Sequence, residues 1–245
     1  MSTDTHNGQP PVRKVFTNRR GGASSAPFDS FNLGDHVGDD PQVVAANRAR
    51  LADVLDVDRI VYMEQIHSPT VTEVTTDTLN NLGEKPVEAT DALITTLHGV
   101  GLAVLTADCV PLLLSDDVAG VIAAVHAGRM GARNGIVPRT IARMEQLGAV
   151  PAHIHALMGA AISGENYELP AEIVADVEKR LPGSRTATKQ GTEGLDVRAG
   201  LTRQLLSLGV TNIDADPRCT YSTEDFFSYR RDGKTGRQAG VVWMP

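Results

Sequence analysis

Several short runs of apolar and β-branched residues follow one another in the first half of this chain of 245 residues. Their length and composition are typical of β-strands. We predict strands at Arg59–Met63, Val71–Val74, Ala92–Thr95, Leu102–Thr106 and Val121–Val125. Because these runs do not alternate strictly with helix-length segments, the pattern favours a mixed β-sheet over a doubly wound parallel sheet.

Other segments carry apolar residues at helical spacing. We predict helices at Pro41–Leu55, Gly135–Leu147, Pro170–Arg180 and Asp196–Leu208. Three more apolar runs predict strands at Ala152–Met158, Ile213–Ala215 and Gly240–Trp243. The fold class is therefore α+β, with one domain over residues 12–245. Residues 1–11 are polar and end in two prolines, and we predict that they form a disordered tail.

The composition is that of a compact globular protein rather than a nucleic-acid or membrane protein. Hydrophobic residues make up 41% of the chain, enough for a full core. The net charge of −7 disfavours a nucleic-acid surface, which needs clustered positive charge. Since no apolar stretch is long enough for a bilayer and the polar start lacks a signal peptide's apolar centre, we expect a cytoplasmic protein without a membrane partner.

Two histidines and a cysteine stand beside predicted strands, in QIHSPT, LTADCVPLLL and VIAAVHAGRMG. These residues are His67, Cys109 and His126. Two imidazoles and one thiolate suit Zn²⁺ and leave a fourth tetrahedral position open. We predict that the three side chains converge on one metal ion. The only other cysteine, Cys219, is predicted to stay unpaired because one thiol is committed to the metal.

Seven blocks extend a resemblance to a known family over nearly the whole chain. They are FTNRRGGASSAPFDSFNLGDHVGDDP, EQIHSPTV, TDALITT, TADCVPLLL, AAVHAGRMG, GAAISGENYEL and CTYSTEDFFSYRRDGKTGRQAGVVWM. In this order they resemble the laccase-domain proteins, also called multicopper polyphenol oxidases or YfiH-type proteins. The family's metal ligands fall on His67, Cys109 and His126.

The resemblance implies a fold and an activity. The implied fold is an α+β sandwich of mixed sheets flanked by helices. The implied activity is a zinc-dependent purine nucleoside phosphorylase that cleaves adenosine, inosine and methylthioadenosine with phosphate, with adenosine deaminase activity as an addition. Its partners would be purine nucleosides and phosphate.

Phosphorolysis needs groups that hold an anion, and the planar guanidinium of arginine matches phosphate well. The candidate phosphate- and substrate-binding residues are Arg19, Asn32, Arg129, Arg230 and Arg237. Arg19 and Arg237 are favoured among the arginines because each lies close to a glycine in a block that resembles the family's.

Deamination needs a different group, a carboxylate that moves a proton. Asp108 and Glu168 are the candidate catalytic residues. Asp108 precedes the predicted ligand Cys109, and alternation along an extended backbone would turn the two side chains apart. Asp108 is therefore either a proton shuttle or a hydrogen-bonding support for the ligands.

The chain departs from the family pattern after His126. The usual His-Ala-Gly-Trp-Arg-Gly is replaced by a segment in which Arg129 and Met130 follow the glycine, so Arg129 or Arg133 must supply any role of the usual arginine. Two other functions stay open. One is a copper polyphenol oxidase with Cu²⁺ as the metal, although few spare histidines remain for a copper cluster. The other is a peptidoglycan editing factor.

Overall fold

Strands and short helices alternate irregularly in the computed structural model, which describes residues 11–245. The strands are β1 (Arg13–Phe16), β2 (Arg59–Val61), β3 (Val71–Glu73), β4 (Ala92–Thr95), β5 (Val100–Thr106), β6 (Val110–Asp116), β7 (Val121–Ala127), β8 (His155–Met158), β9 (Arg185–Ala187), β10 (Glu193–Leu195), β11 (Asn212–Ala215) and β12 (Gln238–Trp243). The helices are α1 (Pro41–Leu55), α2 (Thr76–Leu82), α3 (Arg129–Arg133), α4 (Ile136–Gln146), α5 (Ala171–Arg180), α6 (Val197–Ser207) and α7 (Tyr229–Asp232).

The strands form two mixed sheets and a small hairpin. A four-stranded sheet has the order β1-β12-β5-β2, in which only β2 and β5 run parallel. A six-stranded sheet has the order β11-β8-β6-β7-β4-β3, with parallel pairs at its two edges and antiparallel pairs between them. Strands β9 and β10 pair separately. The prediction of mixed sheets is confirmed.

The two sheets pack face to face, and helices cover their outer faces. Alternation along β5 shows this arrangement, because Leu102 and Val104 face the six-stranded sheet whereas Ala103 and Leu105 face α1. On the other side of the molecule, α4, α5 and α6 cover the six-stranded sheet. The central strands β5, β6 and β7 are buried along their whole length. This sandwich flanked by helices confirms the expected fold class.

Local signals set the bounds of α1. The Asp40 side chain accepts a hydrogen bond from the Gln42 amide at 2.8 Å, and Pro41 occupies the first helical turn, where its missing N–H costs nothing. Asp56 ends the helix in the left-handed conformation, with φ of 54°. The helix therefore spans the predicted range.

Some elements differ from the predictions. Pro151 begins a short 3₁₀ turn, Pro151–His153, so the strand predicted from Ala152 begins only at His155. Helix α3, which precedes α4, was not predicted. Strand β6 was not predicted either, because Pro111 interrupts its strand pattern. The predicted tail, residues 1–11, lies outside the described residues except for Pro11. Within residues 11–245, no helix has the length and apolar character needed to cross a bilayer.

Candidate metal centre and adjoining cleft

Strand register brings the three predicted ligands to one end of the six-stranded sheet, where β6 begins and β7 ends. Strand β6 pairs antiparallel with β7 so that Pro111 lies opposite His126, which places Cys109 next to the end of β7. Strands β3 and β4 run parallel, and both begin at this same end of the sheet. His67 lies in the loop that enters β3. Residues far apart in sequence are therefore neighbours because of strand order.

The three side chains form a compact group. The ligand atoms of His67, Cys109 and His126 all lie within 4.8 Å of one another. The two imidazole rings meet edge to face, with their centres 4.8 Å apart. His126 is buried, Cys109 is half-buried and His67 is exposed, so the group opens to solvent on the His67 side. This geometry leaves room for a fourth ligand.

Electrostatics favours the thiolate form of Cys109. Burial raises the pKa of this thiol, but the His126 and His67 imidazoles beside it outweigh burial and lower the pKa to about 6. Burial lowers the pKa of His126, but the Cys109 thiolate and the Asp91 carboxylate outweigh burial and raise it to about 9, so a bound metal would displace a proton from this ring. The sulfur is therefore in the form that binds metals.

The donor set fits a zinc ion. Two imidazole nitrogens and a thiolate are zinc ligands, and three protein ligands with an open position are typical of catalytic zinc. The Asp91 carboxylate lies 2.8 Å from Nδ1 of His126, a common outer partner for a zinc-binding histidine. Since the Cys109 thiolate and Asp91 carry two negative charges, a divalent cation balances the group.

A cleft of about 400 Å³ adjoins the three ligands. Its wall contains His67, Cys109, two aromatic rings, two arginines and several apolar side chains. The aromatic residues are Tyr167 and Tyr229, and the arginines are Arg129 and Arg230. This volume and mixed lining suit a small organic molecule that carries both an apolar ring and a charge.

The arginines at the cleft have no carboxylate partner within salt-bridge distance among residues 11–245. The Arg230 guanidinium lies 5.0 Å from the centre of the Tyr167 ring and donates to the Glu168 carbonyl at 3.1 Å. Arg237 is half-buried and is not part of the cleft wall; its guanidinium donates to the carbonyls of Thr235 and Gly236 at 3.0 Å. Burial lowers the pKa of Arg237, while the negative charges of Cys109 and Asp108 oppose that shift. Buried or clustered cations without carboxylates are suited to an anionic ligand.

Two more of the predicted substrate-binding residues, besides Arg237, lie outside the cleft wall. Arg19 lines a different pocket, where its guanidinium donates to the Asp29 carboxylate at 3.2 Å and lies over the Phe227 ring. The Asn32 side chain is fully buried and donates to the Gly34 carbonyl and the Asp39 carboxylate. The structure does not bring these two residues to the cleft.

The two candidate carboxylates also differ in place. Asp108 lines the cleft, but its carboxylate already accepts hydrogen bonds at 2.6 Å from the Thr220 hydroxyl and from the Arg230 amide. It thereby attaches α7 to the turn that carries Cys109. Glu168 is exposed and does not line the cleft. Asp108 is thus near the ligands and engaged in holding the local structure.

Sequence reasoning missed three residues of the site. Asp91 supports the ligands, and Tyr167 and Tyr229 line the cleft. Asp91 and Tyr167 lie inside TDALITT and GENYEL, blocks that carried the family resemblance, and Tyr229 lies within the last block. The polar residue immediately before a buried strand was the available signal for Asp91.

Comparison with known proteins identifies the family. A family model described as multi-copper polyphenol oxidoreductase laccase matches residues 13–245. The chain belongs to this laccase family. The resemblance seen in the sequence is confirmed.

Proteins similar to this chain include named enzymes and solved structures. The chain is 67% identical over 237 residues to a purine nucleoside phosphorylase of Corynebacterium glutamicum, covering 96% of this chain and 95% of the relative. It is 52% identical to a purine nucleoside phosphorylase of Mycobacterium tuberculosis, covering 98% and 95%. The crystal structure of YlmD from Geobacillus stearothermophilus superposes with a TM-score of 0.89 at 34% identity, covering 96% and 92%. That of the Bacillus licheniformis hypothetical protein YfiH gives 0.89 at 32% identity, covering 96% and 93%.

Proposed function

We propose that this protein is a zinc-dependent purine nucleoside phosphorylase that cleaves adenosine, inosine and methylthioadenosine with phosphate. The observation that carries the proposal is the open group of His67, Cys109 and His126 in a cleft whose arginines have no carboxylate partner within the described chain. The names of the relatives from C. glutamicum and M. tuberculosis agree with it.

The reaction makes two demands that the cleft can meet. A phosphate oxygen attacks C1′ of the sugar, the bond from C1′ to the purine nitrogen breaks, and the purine leaves with the electron pair and takes up a proton. The guanidinium groups of Arg129, Arg230 and Arg237 are suited to hold and orient the phosphate. The rings of Tyr167 and Tyr229 offer flat apolar faces for the purine. His67, Cys109 and His126 would hold Zn²⁺, which would supply a Lewis acid beside the cleft.

Deamination is the less favoured chemistry at this cleft. It requires a carboxylate that is free to move a proton at the purine. Both oxygens of Asp108 are engaged by Thr220 and Arg230, and Glu168 lies outside the cleft wall. We therefore propose that adenosine deaminase activity is an addition slower than phosphorolysis.

Copper oxidase chemistry is also less favoured. A multicopper enzyme needs several grouped copper ligands. Among residues 11–245, His67, Cys109 and His126 form the one group suited to a metal, and the remaining histidines of that range lie outside it.

We place the protein in the cytoplasm, where its proposed substrates occur.

The decisive experiment measures products from adenosine with and without inorganic phosphate. We expect free adenine and ribose 1-phosphate, both dependent on phosphate, and zinc in the purified protein by elemental analysis. Inosine formation without phosphate would instead indicate a deaminase. Oxidation of a phenolic dye by the copper-loaded protein, without cleavage of nucleosides, would favour the copper oxidase. A protein with no turnover of any nucleoside would contradict the proposal and favour the peptidoglycan role.

A further inference from the structure

The Asp91 carboxylate lies beneath the candidate metal ligands, with no exposed surface. Its one ion-pairing partner in the described chain is His126. Burial of a carboxylate without an arginine or lysine is costly unless several hydrogen bonds compensate it. Asp91 accepts such hydrogen bonds from two separate segments.

The contacts of Asp91 divide between the two histidine ligands. Oδ1 lies 2.8 Å from Nδ1 of His126 and accepts from the His67 amide at 2.9 Å. Oδ2 accepts from the Ser68 amide at 2.6 Å, the Ser68 hydroxyl at 2.8 Å and the Ile66 amide at 3.2 Å. The Asp91 carbonyl also accepts from the His126 amide at 2.8 Å. One residue therefore holds a strand end and a loop together.

These contacts determine how each ligand is presented. Because Nδ1 of His126 faces Asp91, Nε2 is the nitrogen left for a metal. His67 has φ of 61°, a left-handed conformation that is unfavourable for a residue with a Cβ. Three successive amides directed at one carboxylate compensate that cost. The loop can then present the His67 ring to the cleft.

We propose that Asp91 is a positioning residue that sets both histidines in metal-binding geometry. The proposal rests on the zinc site in the proposed function. In this proposal one buried carboxylate fixes the distance between two histidine ligands that lie far apart in the sequence, His67 and His126. Loss of its charge should weaken metal binding without removing any ligand.

The test compares Asp91→Asn with a matched control, Asp116→Asn. Asp116 is also fully buried, and its carboxylate accepts hydrogen bonds from the amides of Val118, Ala119 and Val150 at the other end of β6. Zinc affinity is measured by competition with a chromogenic chelator. We expect Asp91→Asn to bind Zn²⁺ about 10- to 100-fold more weakly and Asp116→Asn to bind like the parent. Both variants should have lower thermal midpoints, because each loses backbone hydrogen bonds.

Two further measurements keep the test decisive. If Asp91→Asn does not fold, Ser68→Ala removes one of the hydrogen bonds to the same carboxylate and should weaken zinc binding by a few-fold. In metal-free protein, the amide protons of Ile66, His67 and Ser68 should exchange faster in Asp91→Asn than in Asp116→Asn. Parental zinc affinity in the folded Asp91 variant, or in Ser68→Ala, would overturn the proposal. A parent that binds no zinc would contradict the proposed function, and the amide exchange would then decide the Asp91 proposal alone.

Discussion

Gly128 packs directly against the sulfur of Cys109. A Cβ atom on this glycine would lie 3.0 Å from Cys109 Sγ, 3.1 Å from Cδ2 of His67 and 3.3 Å from Cε1 of His126. These distances are tighter than most Cβ contacts in proteins, so the three ligand side chains would have to shift by a few tenths of an ångström to accept a methyl group. Gly128 has φ of −70°, so its backbone conformation is open to any residue. The need for glycine at this position is therefore steric and arises from the three ligands.

Gly128→Ala should loosen the ligand group while the fold is retained. Overpacking costs about 1–3 kcal/mol, which corresponds to a loss of zinc affinity of roughly 5- to 150-fold. Chelator competition should show weaker zinc binding in Gly128→Ala than in the parent. Parental zinc affinity in the folded variant would contradict the steric explanation.

Cys109→Ser should abolish nucleoside cleavage, and Cys219→Ser should not. Serine is hard to deprotonate, so the variant loses the thiolate that binds metal. Cys219 accepts hydrogen bonds from the Ser163 amide and the Asn166 side chain and is not part of the ligand group. Zinc content and phosphate-dependent adenine release are measured on both. Parental turnover by a folded, zinc-free Cys109 variant would show that the metal has no part in the reaction.

Arg237→Ala should raise the KM for phosphate, whereas Arg19→Ala should leave it near the parental value. A hydrogen bond to a charged group contributes about 1.5–3 kcal/mol, which predicts an increase of roughly 10- to 150-fold. The Arg19 guanidinium is engaged by Asp29 in a separate pocket. Initial rates over a range of phosphate concentrations distinguish the two. An effect of Arg19→Ala alone would place the phosphate site outside the cleft.

Lys14 should make stability depend on alkaline pH. Burial lowers the pKa of Lys14 from 10.5 to about 8, and Nζ contacts His155 Nδ1 at 3.0 Å. Between these pH values the unfolded chain keeps a proton that the folded protein releases, so the free energy of unfolding rises with pH. Urea denaturation from pH 7.5 to 10 should show a gain of roughly 1–3 kcal/mol in the parent relative to Lys14→Met. Parallel curves for the two proteins would exclude this effect.

Local sequence signals predicted the elements whose bounds depend on neighbouring residues. The range of α1 follows from its cap at Asp40 and from Pro41. Strand β4 matches its predicted range because its four residues, three of them apolar, are all buried. The hairpin of β9 and β10 was not predicted, since each strand has only three residues and β9 has no buried residue. Pattern recognition needs longer or more apolar segments.

The ligands could be chosen from sequence, but their surroundings could not. Two histidines and a cysteine at strand ends carry their own chemical meaning. The role of Asp91 depends on β4 lying between β3 and β7, which is a consequence of long-range pairing. Arg19 and Arg237 looked equivalent in sequence, and only the fold separates them. Charge and glycine spacing do not encode which side of a sheet an arginine reaches.

The turn at residues 107–109 crosses from the four-stranded sheet to the six-stranded sheet, and it carries Cys109. His126, by contrast, belongs to the six-stranded sheet alone. Because Cys109 also adjoins β6, which pairs with β7, the distance from its sulfur to the His126 imidazole follows the register of these two central strands. A cobalt ion bound there would act as an internal gauge, because its visible spectrum would change if the pairing of β6 with β7 shifted.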